Sequence, residues 1–466
     1  MDNIFAVHNL HRESVTEFLR RDPHLRRLRE LPLVYESPLL DGFPLESPGI
    51  YALGGGRQVG KTTLVKQLMG RLLQTKKSLP ERIHFLSGEL VDDHHSLVRH
   101  LMSFLPSSPT RIGEELTYVF VDEVTYIKDW DKGIKYLADG GFLDSVWLLV
   151  TGSDTVIIRE AMQRFPGRRG RASQVDFHCR PLSFREVVRL RGSVPEDFIS
   201  TVCECDWPEL TSEMLHPQIE DLELAFREYH LTGGYLTALN DWVRDRSIAT
   251  ATFRTYADWV RGDVLKKRKN EFYLREVLAA ILRRYNTQVS WGSLAEDLPI
   301  DHHQTVAEYC AILESMDVLF IQSALDQDRL GPAPKKARKL FFTDPFIHHA
   351  LRAYVQDMEN PDEEIIQPLH TNELELAHLA EAALANHVHR HYPTYYIKAE
   401  GEVDIAYVKD NQFWPLEAKW TGQIRPKDLK QIAKYSNGII AGRSHEVRNV
   451  SNVPCYPLPL VLLRFS

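Results

Sequence analysis

Gly55-Gly56-Arg57-Gln58-Val59-Gly60-Lys61-Thr62 fits G-x-x-x-x-G-K-[ST], and its surroundings are those a phosphate-binding loop needs. The apolar run Ile50-Tyr51-Ala52-Leu53 leads into it, and the helix-forming stretch Thr63-Leu64-Val65-Lys66-Gln67-Leu68 leads out. Glycines let the backbone curl so that successive N–H groups face phosphate oxygens, with the positive end of a helix behind them. In this reading Gly55, Gly56 and Gly60 shape the loop. Lys61 neutralises the β- and γ-phosphates, the Thr62 hydroxyl coordinates Mg2+, and Thr63 opens the helix next to the nucleotide.

Moving outward, short apolar runs alternate with amphipathic stretches. The runs are Ile50–Leu53, Arg82–Leu86, Tyr118–Val121, Val146–Val150 and Gln174–Cys179, and helical segments begin near Lys61, His94, Asp131 and Asp154. This alternation predicts parallel strands joined by crossover helices, and so an α/β fold of three layers. Upstream, residues to about Glu36 read as helical, and Ser37 to Pro48 as a Pro- and Gly-rich connector.

Tyr118-Val119-Phe120-Val121-Asp122-Glu123 is an apolar strand ending in two acids. The crevice of an α/β sheet opens at the carboxyl ends of its strands, so Asp122 is placed to hold Mg2+ and Glu123 to polarise an attacking water. The next strand runs into Thr151-Gly152-Ser153, where Ser153 is placed to sense the γ-phosphate. Pro166-Gly167-Arg168-Arg169-Gly170-Arg171 then offers arginines, Arg168 and Arg171 among them, that could complete a charge clamp on the transferring phosphoryl group. A solvated loop or a contact to nucleic-acid phosphates reads equally well.

The wider composition sets bounds. The chain has 466 residues, 43% of them hydrophobic and 26% charged, with a net charge of −8. These are values of a folded globular protein rather than a disordered or collagen-like one. The acidic balance excludes a wholly polycationic nucleic-acid binder and leaves room for a local basic groove. No run approaches the roughly 20 apolar residues of a membrane span, and the start has no signal-peptide character. Five scattered cysteines, Cys179, Cys203, Cys205, Cys310 and Cys455, read as reduced thiols. A cytoplasmic location is the expectation.

From Pro181 to about Lys269 the chain reads as helical, ending in Lys266-Lys267-Arg268-Lys269. Between Phe272 and Pro345 the pattern predicts three helices and then a hairpin of Val318–Ser323 and Lys339–Thr343, the order of a winged helix. Its third helix, opened by an Asp301 cap, would present His302, His303 and Gln304 to DNA, and Lys335, Lys336 and Arg338 on the wing would contact phosphates. A winged helix used for protein contacts is the competing reading. From about Thr371 the pattern predicts a helix, an antiparallel hairpin, a further helix and a closing strand at Leu460–Leu463.

The phosphate loop, the Val-Asp-Glu strand end, Thr-Gly-Ser, the Gly-Arg loop and Pro181-Leu182-Ser183-Phe184-Arg185-Glu186 occur in that order. Together with Gly233-Gly234-Tyr235 they resemble the prokaryotic AAA+ superfamily of P-loop ATPases with a C-terminal nuclease-like region. The likeness covers about Tyr35 onward. It implies ATP and Mg2+ as cofactors, nucleotide bound between core and lid, and five segments: a helical N-terminal segment (1–36), an ATPase core (37–185), a helical lid (186–269), a winged helix (270–346) and a nuclease-like domain (366–466).

In the last segment Glu402-Val403-Asp404-Ile405-Ala406 and Pro415-Leu416-Glu417-Ala418-Lys419 read as the two strands of a hairpin. Period two puts Glu417 and Lys419 on one face, and cross-strand pairing can bring Asp404 against them. Two carboxylates and a lysine suit a Mg2+-dependent phosphodiesterase: Asp404 and Glu417 hold the ion, and Lys419 positions the nucleophile. The arrangement resembles the PD-(D/E)XK nuclease core, with Val403 in place of the motif's proline. That likeness adds Glu381 on the preceding helix, and Gln431 or Lys434 after the hairpin. His387-x-His389-x-His391 reads as polar surface at a helix end.

These observations lead to the expectation of an ATPase and Mg2+-dependent deoxyribonuclease acting in defence against foreign DNA or in repair and recombination. Nucleic acid, DNA ahead of RNA, is the expected partner, and a homo-oligomer is left open. Two rivals stand: a nucleotide-controlled switch whose tail binds without cutting, and an ATP-driven remodeller of proteins.

Overall fold

A computed structural model describes residues 3–75, 77–105, 116–296, 298 and 302–466. The chain forms two compact units, Met1–Arg180 and Pro181–Ser466.

The first unit is built on five parallel strands: β1 (Gly49–Gly54), β2 (Ile83–Ser87), β3 (Thr117–Asp122), β4 (Val146–Gly152) and β5 (Asp176–His178). Their order across the sheet is β2-β3-β4-β1-β5, so the crossover connections expected from the alternating pattern are present. All of β1, β3 and β4 is buried, because apolar side chains leave the strands on both faces. Ile50, Val119, Val121, Leu148 and Val150 feed one core, and Tyr51, Leu53, Phe120, Trp147 and Leu149 the other.

The helix Lys61–Gln74 follows β1, and helices at His94–Met102, Trp130–Asp139 and Thr155–Met162 follow β2, β3 and β4. The N-terminal helices are tied to the first of these by Lys66. Its fully buried ammonium donates to His8 O at 2.9 Å, lies 3.6 Å from Asp22 Oδ2 and sits 3.5 Å from the centre of the Phe85 ring. Burial lowers its pKa to about 8.

The second unit starts with a helix whose cap explains the Pro-Leu-Ser-Phe-x-Glu motif. Ser183 accepts from Glu186 N–H at 3.3 Å, and the Glu186 carboxylate accepts from Ser183 N–H at 2.7 Å, a reciprocal capping box. Phe184 is fully buried against Phe226 and Tyr229. Helices continue to Lys266, where the basic run begins; Lys266 pairs with Asp263 and Lys269 with Glu308.

Helices Glu271–Arg283, Trp291–Glu296 and His303–Ser315 precede four strands, β6 (Leu319–Ser323), β7 (Leu325–Asp326), β8 (Gly331–Pro332) and β9 (Arg338–Phe342). β6 pairs antiparallel with β9, and β7 with β8. Asp301 lies outside the described residues. The helix begins after His302, which makes no side-chain cap.

The C-terminal sheet is larger than the hairpin the pattern predicts. Its strands β10 (Thr394–Lys398), β11 (Glu402–Lys409), β12 (Gln412–Lys419), β13 (Ile439–Gly442), β14 (Arg448–Val450) and β15 (Val453–Pro457) lie in the order β10-β11-β12-β13-β15-β14. The first three are antiparallel, whereas β12, β13 and β15 run parallel.

Two expectations fail here. Leu460–Leu463 is not a strand but part of the helix Leu458–Phe465. Its run is apolar on all sides and buried, so it carries no period, and the prolines at 457 and 459 suit a helix start. The helix expected after the hairpin is only two short turns, Pro426–Leu429 and Ile432–Lys434.

Candidate functional site

The phosphate loop leaves β1 through Gly55, whose φ is +150°, and enters the helix through Gly60 at φ +94°. A Cβ on Gly55 would stand 2.1 Å from Cys179 O, so only glycine fits between β1 and the end of β5. Lys61 is buried and folds back over the loop, donating to Gly55 O at 2.9 Å and Gly56 O at 2.7 Å. Its ammonium is 3.8 Å from Glu123 Oε1. Thr63 lies in the first helical turn, half-buried.

Asp122 and Glu123 end β3 against that loop. Thr62 Oγ1 donates to Asp122 Oδ2 at 2.7 Å, and Thr151 Oγ1 donates to Asp122 Oδ1 at 2.5 Å. Glu123 N–H donates to Thr151 Oγ1 at 3.0 Å, and the Ser153 hydroxyl lies 3.4 Å from Glu123 Oε2. Glu123 itself is left-handed, at φ 51° and ψ 48°, a backbone state that costs a non-glycine residue about 1–2 kcal/mol. A hydroxyl and a carboxylate oxygen side by side form the hard donor set Mg2+ prefers, and the ammonium beside them suits phosphate. The residues fit an ATP–Mg2+ complex. The pattern Thr151-Gly152-Ser153 points to Ser153 and gives no sign that Thr151 holds both acids.

The arginine loop is elsewhere. Arg169 O lies 2.6 Å from where a Cβ of Gly49 would be, and Pro48 O 2.4 Å from that of Gly170. The loop therefore packs at the entry of β1, whose six residues put it roughly 20 Å from the phosphate end. Arg168 is paired with Asp139 and Arg169 with Asp176, while Arg171 is exposed at the same edge. Arg168 and Arg171 thus do not clamp the phosphates of their own chain.

The second cluster lies in the second unit. The β11–β12 register aligns Ile405 with Leu416. Asp404 N–H donates to Glu417 Oε2 at 3.3 Å, and Asp404 Oδ2 accepts from Ala418 N–H at 3.1 Å. Lys419 Nζ is 2.5 Å from Glu417 Oε1 and 3.7 Å from Asp404 Oδ2. The helix Glu373–His389 carries Glu381 to the same place. Three residues not foreseen complete the cluster: Lys339, Glu402 and Asn286. Lys339 of β9, 2% exposed, has its Nζ 2.8 Å from Glu381 Oε1, 2.5 Å from Glu402 Oε1 and 3.3 Å from Asp404 Oδ1. Asn286 donates to Glu381 Oε2 at 3.1 Å.

Electrostatics divide the carboxyls. Burial works against the Asp404 charge, yet Lys339, Lys419 and the Ala418 N–H outweigh it and hold its pKa below the usual value. Burial and the neighbouring Asp404 push Glu417 up to about 8, and burial also raises Glu381. Both lysines are held cationic by the surrounding carboxylates against the effect of burial. Four carboxyls face two ammonium groups, so the cluster is two positive charges short. Its protonated acids and a divalent ion are alternative ways to supply them.

Other candidates lie apart. Gln431 bonds to Gly401 N–H and Tyr435, and Lys434 pairs with exposed Glu400. His387 is a buried strut, accepting from Phe184 N–H at 2.9 Å and bonded to Ala383 O at 2.6 Å, so the reading of polar surface fails there. Arg338 stacks on Trp291, 4.3 Å from the ring centre, and Lys336 donates to Lys398 O, leaving exposed Lys335 at the tip. His302 and His303 are exposed. None of the five cysteines is in a disulfide. Among the described residues no helix is long and apolar enough to cross a membrane.

The sheet order, loop and strand-end acids define the first unit as a P-loop ATPase core, with ATP and Mg2+ as its cofactors. Residues 47–188 match a family model described as an AAA domain, and residues 223–358 one described as a domain of unknown function, DUF8612. No curated protein matches the chain. Among solved structures, the Walker-type ATPase PABY2304 of Pyrococcus abyssi is similar at 15% identity and TM-score 0.41, covering 72% of this chain and 96% of its own. The ORC2 protein of Aeropyrum pernix follows at 12% and 0.33, covering 73% and 94%. RuvB of Thermotoga maritima stands at 16% and 0.30, covering 67% and 93%.

Proposed function

We propose that this P-loop ATPase processes DNA and that its second unit cuts phosphodiester bonds at the Asp404–Glu417–Lys419 cluster. The observation that carries the reading is the convergence of Asp404 and Glu417 on Lys419, in a buried cluster short of positive charge.

At the phosphate loop Lys61 binds the terminal phosphates, Thr62 and Asp122 would hold Mg2+, and Glu123, facing Ser153, orients and deprotonates the attacking water. At the second cluster Asp404 and Glu417 would hold a divalent ion, which supplies Lewis-acid polarisation of the scissile phosphate when bound. Lys419 positions the water nucleophile, and Glu381 stands as the further acid. The segment Glu271–Phe342, with its helix-helix-helix-hairpin order, serves as a winged helix for DNA, with Lys335 at its tip. The reading suits defence against foreign DNA or repair and recombination, in the cytoplasm.

The test is cleavage of labelled DNA with Mg2+ and ATP. Loss of cutting in Asp404→Ala and Glu417→Ala with ATP turnover retained supports the nuclease. A Lys61→Ala chain that still cuts in an ATP-dependent way overturns the coupling. One observation favours a second reading, a nucleotide-controlled switch whose tail binds without cutting: Lys339 already neutralises part of the cluster. Under that reading the wild type binds DNA and never cuts it.

A further inference from the structure

Two neighbouring residues of the β6–β9 pair end on Asp404. Gln322 and Lys339 are register partners, so their side chains leave the ribbon on one face. Gln322 is fully buried and donates to Asp404 O at 3.1 Å and Tyr395 O at 3.0 Å, which ties the ribbon to β10 and β11. Lys339 reaches the Asp404 carboxylate. On its other side β9 is held by reciprocal backbone bonds between Val289 and Arg338, at 2.8 and 2.9 Å. The ammonium is therefore delivered by a ribbon fixed on both edges, not by a loose surface chain.

The Asp404 carboxylate is split between two cations. Oδ1 faces Lys339, together with Glu381 and Glu402, and Oδ2 faces Lys419, together with Glu417. A carboxylate shared by two cation positions, each with its own further acids, is the layout of a two-ion phosphodiesterase site. Here each position faces a lysine: Lys339, 2% exposed, is enclosed by its acids, whereas Lys419, 23% exposed and 3.7 Å from Asp404 Oδ2, is partly open to solvent.

We infer that Lys339 is a built-in cation that fills one of the two positions, so that the cluster takes a single divalent ion, at the Asp404–Glu417 side. The inference rests on the proposed divalent-ion site and adds its stoichiometry. Three carboxylate oxygens from Glu381, Glu402 and Asp404 surround the Lys339 ammonium, so removing it leaves a cage of three uncompensated carboxylates that a second ion would have to draw together.

The experiment counts Mn2+ bound per full-length chain without nucleotide, by calorimetry and by the paramagnetic signal of free Mn2+. The baseline is the double variant Asp404→Asn, Glu417→Gln. One ion above baseline in the wild type and two in Lys339→Met is the expected result. Two ions in the wild type, or one in a folded Lys339→Met, overturns the inference while leaving the divalent-ion site intact. No ion above baseline in the wild type overturns that site and the inference with it. Because Lys339→Met removes a buried charge, Lys339→Met combined with Glu402→Gln restores the charge balance. A second ion that is lost again in this combination supports the cage, and a second ion that persists overturns it.

Discussion

The Thr151 hydroxyl donates to Asp122 Oδ1 at 2.5 Å while accepting from the Glu123 backbone N–H. It therefore fixes both acids of the ATPase site from the neighbouring strand. Thr151→Val keeps the shape and removes both bonds, leaving a buried carboxylate oxygen and an N–H unpaired. Each such loss costs about 1–3 kcal/mol, and partners behind a metal ligand typically matter about 10–100-fold. The expected outcome is a drop of that size in ATP turnover with the fold retained, measured by steady-state kinetics and circular dichroism.

Glu123 makes a sharper test, because its carboxylate faces Lys61 at 3.8 Å and Ser153 at 3.4 Å. Glu123→Gln preserves size and hydrogen bonding and removes the carboxylate proposed as the base. ATP binding should stay within a few-fold, while turnover falls by about 10²-fold or more. Equilibrium nucleotide binding and single-turnover hydrolysis separate the two.

Much of the ATPase half was legible because its signals are local. A glycine loop between a strand and a helix, and acids at a strand end, require neighbours only a few residues away. Lys339 was not, although its position carried a clue: it is in phase with buried Phe341 along β9, where an apolar residue belongs. Its partners lie 42, 63 and 65 positions further on, and no periodicity reports a contact of that range. Glu402 was nearer to sight, since period two places it on the Asp404 face. The arginine loop lies away from the phosphates of its own chain for a related reason: its residues suit phosphate, but β5 must return alongside β1, which leaves Arg168 and Arg171 at the strand-entry end, opposite the phosphate loop.

The Gly233-Gly234-Tyr235 motif is structural, and that is testable. Gly233 sits at φ +56°, Gly234 N–H donates to Asp344 Oδ2 at 2.7 Å, and Leu182 N–H donates to Gly234 O at 2.8 Å. A Cβ on Gly234 would stand 1.9 Å from Leu182 O, a backbone atom with no room to yield. Gly234→Ala should destabilise the second unit by about 1–3 kcal/mol or more, read as an earlier denaturant midpoint. The isolated effect on nucleotide affinity should be small.

The raised Glu417 sets a pH dependence for ion binding. Its pKa lies near 8 in the folded chain against 4.5 unperturbed, so between those values the folded state holds a proton that the unfolded state has released. Without a divalent ion, this group's contribution to stability is greatest below about pH 4.5 and is lost as pH rises towards 8. A bound ion displaces that proton, so each Mn2+ taken up near pH 7 should release about one proton from Glu417. Apparent affinity should tighten by up to about tenfold per pH unit below 8 and then level off. Calorimetry in two buffers of different ionisation enthalpy measures the proton count directly. Affinity that stays flat from pH 6 to 8, with no proton released, would mean that Glu417 is already ionised and that the ion is held by other oxygens.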